Sequence, residues 1–268
     1  ELYLQDSNLL LKQKCKILIK FLNRANSLAP VSPPAAPPSW NAAQQHTIDR
    51  FEEMTKIQWN DPNLVPLTRV LKLSFKNIVD VEPLTLLVNL EVLKLNTNNI
   101  VNVESLANLV RLRKLVLNGN KIEDVEPLGR LVQLQELGLG GNKIVDVGPL
   151  ASLMQLQKLD LSANYIVDLR PLTSPLLQLE ELDLKWNNIV NVGPLASLFQ
   201  LKDLDLSENN IIGVGPLANL VQLHTLYLEN NNIVDVEPLA NLGQLQDLIL
   251  ENNNIVDVEP LASLGLLK

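Results

Sequence analysis

Nine tandem copies of one 22-residue unit fill residues 68–268, and this repeat constrains the fold more than any other feature of the sequence. The repeats begin at Thr68, Leu90, Leu112, Leu134, Leu156, Leu179, Leu201, Leu223 and Leu245. All spacings are 22 residues except the fifth, which is 23 because an extra residue lies near Pro175. A short unit at a fixed period predicts a solenoid, because each coil buries its apolar face only against its neighbours.

The constant residues of the unit predict which part of each coil is a strand. The last repeat has Leu245, Leu248 and Leu250 at positions 1, 4 and 6, and Asn253 at position 9. This L-x-x-L-x-L-x-x-N pattern indicates a leucine-rich repeat. Positions 3 to 7 alternate between outward and inward residues, which is the periodicity of a β-strand. The Pro-Leu-Ala-x-Leu half of the unit is too short for a long helix and predicts a 3₁₀ turn.

We therefore predict an α/β fold, a leucine-rich repeat solenoid with a parallel sheet of nine short strands on its concave face. Its convex face is expected to consist of 3₁₀ or other short turns. The strand side curves inward because hydrogen-bonded strands stack only about 4.8 Å apart. Parallel sheets are usually covered on both faces, whereas this architecture leaves one sheet face free for binding.

Two constant polar positions have a structural interpretation. Most repeats carry Asn at position 9, where its amide can hydrogen-bond the turning backbone of its own coil and the next. Many carry Asp at position 13, where the carboxylate is expected to cap the turn that follows. One carboxylate per coil is too few for calcium, which needs an oxygen-rich loop. The residues are Asn98, Asn120, Asn142, Asn164, Asn187, Asn209, Asn231 and Asn253, and Asp80, Asp124, Asp146, Asp168, Asp235 and Asp257.

Three segments precede the repeats. Residues 1–28 predict a basic amphipathic helix, with leucines on one side and lysines on the other. Packing on a neighbouring domain or another chain is favoured for it over lying on a membrane. Residues 29–39 are proline-rich and predict a stiff, extended linker rather than a P-x-x-P ligand. Residues 40–67 predict a helical N-terminal cap, because the first coil otherwise has an exposed edge and core.

The charge balance and the single cysteine restrict the partners and the compartment. The net charge is −8, and residues 68–268 are acidic whereas residues 1–28 are basic. An acidic solenoid argues against nucleic acid, which would need a basic stripe along the phosphates. No apolar run approaches transmembrane length, so a membrane partner is not expected. Cys15 has no partner for an internal disulfide, which favours the cytoplasm, with the bacterial cell surface or secretion as an effector as alternatives.

The stretch from Asn253 to Ala262, N-N-I-V-D-V-E-P-L-A, resembles the internalin repeat, N-x-I-x-D-I-x-P-L-A. The resemblance covers about three quarters of the chain and does not extend to residues 1–67. Internalins are bacterial surface proteins whose 22-residue repeats bind host receptors. The resemblance thus implies a leucine-rich repeat fold and a protein-binding function. Ser105 in place of Pro and Gly213 in place of Asp depart from the pattern.

Signatures of catalysis are nearly absent from the sequence. His46 and His224, the two histidines, lie in different regions, and neither has a cysteine or an acidic partner at a useful spacing. There is no G-x-S-x-G, Walker A, G-x-G-x-x-G or paired-cysteine motif. We therefore expect neither an enzyme nor a cofactor or metal.

The variable outward positions are where a partner is expected to bind. Position 5 changes along the chain from Lys72, through Gly138, to three successive aspartates and then to apolar residues. Like charges on adjacent strands repel, so the aspartates carry a cost that binding would explain. Exposed aromatic residues beside charge are typical of binding hot spots. The candidate partner-binding residues are Asp160, Glu181, Asp183, Trp186, Asp203, Asp205, Tyr227 and Ile249.

These observations favour a protein–protein interaction module that binds a protein partner, of basic character, through its concave face. The alternative is a structural spacer or sensor segment of a larger multidomain signalling or effector protein, without a ligand of its own. On a third interpretation, the outward charges only keep the sheet soluble. Self-association is expected through the N-terminal helix or through the last repeat, which has no polar closing residues before Lys268.

Overall fold

One strand from each repeat joins a single parallel sheet. The computed structural model describes residues 68–172 and 176–267, together with Asp49, Glu52 and Glu53. Within these residues the strands are hydrogen-bonded in the order β1 to β9. The strands are β1 (Val70–Lys72), β2 (Val92–Lys94), β3 (Lys114–Val116), β4 (Glu136–Gly138), β5 (Lys158–Asp160), β6 (Glu181–Asp183), β7 (Asp203–Asp205), β8 (Thr225–Tyr227) and β9 (Asp247–Ile249). The predicted parallel sheet is confirmed.

Most of the predicted N-terminal organisation lies outside the described residues. The three residues described ahead of the repeats are helical, but the rest of the predicted cap at 40–67 is not among them. The same holds for the predicted amphipathic helix at 1–28, the linker at 29–39 and the extra residue near Pro175. These interpretations stay predictions.

A 3₁₀ helix follows the strand in every repeat, as predicted. Proline occupies the second residue of eight of the nine helices, where its fixed φ suits the turn and its missing N–H has no partner to lose. No helix of the described residues is long and apolar enough to cross a bilayer. The helices are Glu82–Leu86, Glu104–Asn108, Glu126–Arg130, Gly148–Ser152, Arg170–Leu172, Gly193–Ser197, Gly215–Asn219, Glu237–Asn241 and Glu259–Ser263.

The aspartates at position 13 accept hydrogen bonds from the first backbone N–H of these helices. Asp80 Oδ1 accepts the N–H of Glu82 at 2.8 Å, and Asp146 Oδ1 accepts the N–H of Gly148 at 2.7 Å. Asn191 makes the corresponding bond in its own repeat. Each bond satisfies an N–H that would otherwise have no partner at the beginning of the helix. The predicted capping role of these aspartates is confirmed.

Leucine, isoleucine and valine from every coil stack into one continuous core. The strand register places Leu71 opposite Leu93, and Leu93 opposite Leu115. From the second repeat to the eighth, the leucines at positions 1, 4 and 6 are at most 2% exposed. Full burial of one such side chain stabilises the fold by about 1.5–3 kcal/mol. Each coil depends on its neighbours for this burial.

Asn142 shows how the asparagines at position 9 connect neighbouring coils. Its Oδ1 accepts the N–H of Ile122 at 3.0 Å, and its Nδ2 donates to the carbonyl oxygens of Leu139 at 2.8 Å and Leu117 at 3.1 Å. Ile122 and Leu117 belong to the preceding coil, so the predicted contact with the next coil was wrong. The amide reaches back because the N–H at position 11 and the carbonyl at position 6 face the following coil. The carbonyl of Leu117 also accepts from Asn120 of its own coil, so it has two donors. The pattern recurs from Asn98 to Asn253.

The last repeat is less buried than the others. Leu248, Leu250 and Ile255 are only partly buried, and Val258 is 61% exposed. Leu248, Leu250 and Ile255 pack against the core on one side only, because no described coil follows the last repeat. Self-association through this repeat would cover them, and it stays a prediction.

Replacing Asn187 by Ala should destabilise the protein by about 2 kcal/mol. The buried N–H of Ile166 loses its partner, and two carbonyl oxygens each lose one of two amide donors, because Asn164 and Asn209 still donate to them. Asn187 accepts the N–H of Ile166 and donates to the carbonyl oxygens of Leu161 and Leu184, all at 3.0 Å. The matched control is Asn188→Ala at the exposed next position. Urea denaturation measures both. Equal shifts of the two midpoints would show that the amide does not connect the coils.

Replacing Gly213 by Asp should stabilise the protein by about 0.5–1 kcal/mol. Gly213 occupies position 13, where other repeats have the capping carboxylate, and an added Cβ meets nothing within 4 Å. Gly213→Ala measures the part that arises from a stiffer unfolded chain alone. Thermal denaturation should therefore rank Asp above Ala above Gly. An Asp variant no more stable than the Ala variant would contradict the capping argument.

Candidate functional site

The outward residues of β3 to β8 line one shallow groove on the open face of the sheet. The groove has a volume of about 430 Å³ and spans six neighbouring strands. Most of its side chains come from positions 3 and 5, which the strand alternation turns away from the core, and Asn118 at position 7 also contributes. The charged residues of the lining are Lys114, Glu136, Lys158, Asp160, Glu181, Asp183, Asp203 and Asp205. The lining is therefore strongly acidic.

Asp160, Asp183 and Asp205 form an aspartate column across three of these strands. Asp160 lies opposite Asp183 in the register of β5 and β6, and Asp183 lies opposite Asp205 in that of β6 and β7. Parallel strands are about 4.8 Å apart, so residues in register stack directly. Each carboxylate accepts the backbone N–H two residues further on, which fixes its orientation. The donors are Ser162 at 3.0 Å, Lys185 at 3.0 Å and Ser207 at 2.9 Å.

Only two carboxylates of the groove are neutralised by lysines. Glu136 forms an ion pair with Lys114, and Glu181 forms one with Lys158. The hydrogen bond that Lys158 donates to Glu181 raises the pKa of Lys158. The remaining carboxylates have no basic partner within the described part of the chain, and they are Asp160, Asp183, Asp203 and Asp205.

The middle residue of the aspartate column is electrostatically strained. The pKa of Asp183 is raised to about 6. Partial burial is the largest cause, because it removes water from the charged form, and repulsion from Asp160 and Asp205 adds to it. The N–H and the charge of Lys185 act in the opposite direction. Ionising all three aspartates at pH 7 therefore costs free energy that a cation in the groove would recover.

Two glycines allow one side chain to reach across the groove from β3 to β5. The amide of Asn118 donates to the Asp160 carboxylate over the intervening coil, which contributes Gly138 and Gly140. A Cβ at Gly138 would collide with the Asn118 amide oxygen, and one at Gly140 would lie 2.7 Å from Asp160 Oδ1. Asn118 is not among the predicted site residues. The sequence does contain a signal for the Asn118 contact, since Gly138 and Gly140 leave outward positions 5 and 7 of one repeat without side chains.

The ammonium group of Lys185 lies between the exposed ring of Trp186 and the carboxylate of Glu229. Its Nζ lies 5.1 Å from the centre of the Trp186 ring and 3.5 Å from Glu229 Oε1. The other carboxylate oxygen of Glu229 is buried and accepts no hydrogen bond from the described residues. Lys185 therefore contacts both parts of the site, because its backbone N–H donates to Asp183 of the aspartate column and its ammonium group lies near the Trp186 ring.

Trp186 has a backbone conformation that suits glycine better. Its φ is 55°, in the left-handed region, and the residue is 57% exposed. Position 8 has a positive φ in all nine repeats, and Gly119 and Gly141 occupy it in two of them. This backbone conformation destabilises the fold by about 1–2 kcal/mol when the residue is not glycine. The tryptophan is therefore not required by the turn.

The structure brings six of the eight predicted site residues together in the groove. These are Asp160, Glu181, Asp183, Asp203, Asp205 and Tyr227. Trp186 and Ile249 do not line it. Ile249 is 38% exposed and lies in register with Tyr227 on the next strand. Their part in binding stays a prediction, as does that of the whole set.

The arrangement suits non-covalent binding of positive side chains. Four carboxylates without a basic partner can accept hydrogen bonds from ammonium or guanidinium groups. Within the described ranges, no group of three or more His, Cys, Asp or Glu residues is arranged to hold a metal ion.

Comparisons with known proteins agree with the repeat geometry. The family described as Leucine Rich repeats (2 copies) matches residues 110–152 and 199–241. An internalin (InlF) from Listeria monocytogenes is 33% identical, with a TM-score of 0.66 over 77% of this chain and 67% of that chain. Internalin C2 from the same organism is 34% identical, with a TM-score of 0.57 over 76% of this chain and 80% of that chain. A search of curated proteins gave no significant match.

Replacing Asp183 by Asn should stabilise the protein at pH 7 by about 1 kcal/mol, allowing for solvent screening of a partly exposed side chain. The folded-state pKa is raised, so the destabilisation from ionised Asp183 is absent below about pH 4 and complete above about pH 6. Denaturation of both proteins at pH 4 and pH 7 measures the difference. A gain of equal size at both pH values would exclude charge as its cause.

Proposed function

This chain belongs to the internalin-like leucine-rich repeat family, and from that membership we propose that it binds a basic segment of a protein partner in the groove over β3 to β8. Leucine-rich repeat proteins and internalins are generally protein-interaction modules.

The aspartate column is the observation that carries this proposal. Three carboxylates stack in register without a lysine or arginine partner among the described residues. Like charges on adjacent strands destabilise a sheet. The pKa of Asp183 is raised by partial burial first and by repulsion from Asp160 and Asp205 in addition. Lysine or arginine side chains of a partner would remove this repulsion on binding. The unfavourable charge of the free groove would then contribute to the affinity.

Trp186 and Tyr227 support the same surface. Tyrosine and tryptophan are enriched among the residues that contribute most to binding energy. Tyr227 follows Asp205 in the strand register, so an aromatic ring closes one end of the column. Trp186 keeps an exposed ring at a position where glycine would relieve backbone strain. Both rings can pack against the aliphatic stems of lysine and arginine or stack on their charged ends.

The opposite end of the groove is less acidic. Lys114 is paired with Glu136 there, and Gly138 leaves the floor without a side chain. The Asn118 amide, held on Asp160, separates this end from the column. We therefore place the basic residues of the partner over β5 to β7, with an uncharged part of the segment over β3 and β4.

Replacing Asp160, Asp183 and Asp205 by Asn should weaken binding of a fluorescent oligolysine peptide to the full chain by at least about tenfold. Asparagine keeps the acceptor for the local N–H bonds, so the change removes charge with little change of shape. Added salt should weaken binding to the natural protein much more than to the variant, because screening acts on the charges that remain. Fluorescence anisotropy measures both.

The matched control removes three charges from the other side of the coils. Asp124, Asp146 and Asp235 cap 3₁₀ helices through Oδ1, and asparagine already has this role at Asn191. Their replacement by Asn changes the net charge equally and should alter peptide binding less than about twofold. An equal loss of peptide affinity in the two triple variants would show that the peptide does not bind in the groove. No binding by the natural protein would instead favour the spacer or sensor alternative.

A further inference from the structure

A second surface, at the other edge of the strands, is apolar and almost uncharged. Position 21 of the repeat comes after the 3₁₀ helix and before the next strand, and its side chains form what we call the position-21 flank. They are about half exposed, between 49% and 59%. They are Val88, Val110, Val132, Met154, Leu177, Phe199 and Val221. Contiguous apolar surface of this kind is typical of interaction sites.

This flank has a projection and a depression two coils apart. Phe199 is the largest side chain in it and is 53% exposed. Gly243 occupies the same position two repeats later, and the missing side chain leaves a depression of about 480 Å³. The depression is lined by Val221, Gln222, His224, Asn241, Gly243 and Gln244. An added Cβ at Gly243 meets nothing within 4 Å.

The flank is also where two copies of this acidic chain can approach without strong repulsion. Its charged residues in the later repeats, Glu180 and Lys202, pair with each other at 2.6 Å. The neighbouring position-22 residues are glutamines, which are neutral and exposed. They are Gln178, Gln200, Gln222 and Gln244. By contrast, the sheet face of the same repeats has the aspartate column, and the helix side has carboxylates at Asp235 and Glu237.

We propose that the position-21 flank joins two copies of this chain in an antiparallel, two-fold symmetric dimer, with Val221 on the symmetry axis. In this arrangement Phe199 of each copy fills the depression over Gly243 of the partner subunit. A two-fold interface must be self-complementary, because each surface meets an identical one. A projection and a depression at equal distances on either side of Val221 meet that requirement.

The available area fits a weak dimer. Leu177, Phe199, Val221 and the four glutamines are each about half exposed or exposed. At roughly 80 Å² for each side chain, two copies would bury about 1,100 Å² in total, just above the roughly 1,000 Å² expected of a specific interface. The dimer leaves the groove free, since positions 3 and 5 lie on the sheet face. It is therefore independent of the proposed partner binding.

Exchanging the projection and the depression tests the proposal. Phe199→Gly should leave two empty depressions, and Gly243→Phe should place two aromatic rings against each other. Each single change should raise the dimer dissociation constant of the full chain at least about tenfold. The double variant Phe199→Gly with Gly243→Phe restores one ring against one glycine and should return the constant to within about threefold of the natural value. Sedimentation velocity over a range of concentrations measures all of them.

Gly213→Phe is the matched control, because Gly213 also has nothing within 4 Å of an added Cβ and lies on the other side of the coil. It should leave the dissociation constant unchanged. A natural protein that stays monomeric at high concentration would overturn the proposal. So would a dimer insensitive to the two single changes, which would indicate association through the last repeat or the N-terminal segment. A double variant as weak as the single ones would equally refute the two-fold pairing.

Discussion

The hydrogen bonds of the position-9 asparagines are the interactions on which the rest of this structure depends. Each coil leaves a backbone N–H and a carbonyl facing its neighbour at the end of the strand, close to the leucine core. Unpaired, such groups would cost about 1–3 kcal/mol each. One amide per coil satisfies both and reaches back to its own strand, as Asn142 does for Ile122, Leu117 and Leu139. The leucines can stack closely only because these polar groups are paired.

Stacking at a fixed register has a consequence for every outward position. Residues 22 apart become direct neighbours, so any property repeated in the sequence accumulates along a line on the surface. At position 5 this produces the aspartate column, whose mutual repulsion adds to the effect of burial in raising the pKa of Asp183. At position 21 it produces a continuous apolar flank. The same geometry that makes the core uniform makes each face of the solenoid chemically distinct.

The two surfaces call for different interactions. The groove is lined mainly by carboxylates, whereas the flank presents valine, phenylalanine and glutamine with little net charge. A dimer through the flank would leave both grooves open. Two grooves in one assembly would raise the apparent affinity for a partner with two basic segments, through effective concentration rather than new contacts.

The period alone determined the fold, because a 22-residue unit with leucines at fixed positions can bury them only by stacking coils. It also determined the strands, the 3₁₀ helices and the capping by Asp80 and its equivalents, since these bonds are local. The tertiary structure decided the rest. The Asn118–Asp160 bond joins residues 42 apart over two glycines, and it depends on strand register rather than on sequence proximity. The depression over Gly243 likewise exists only because the neighbouring coils keep side chains where this one has none.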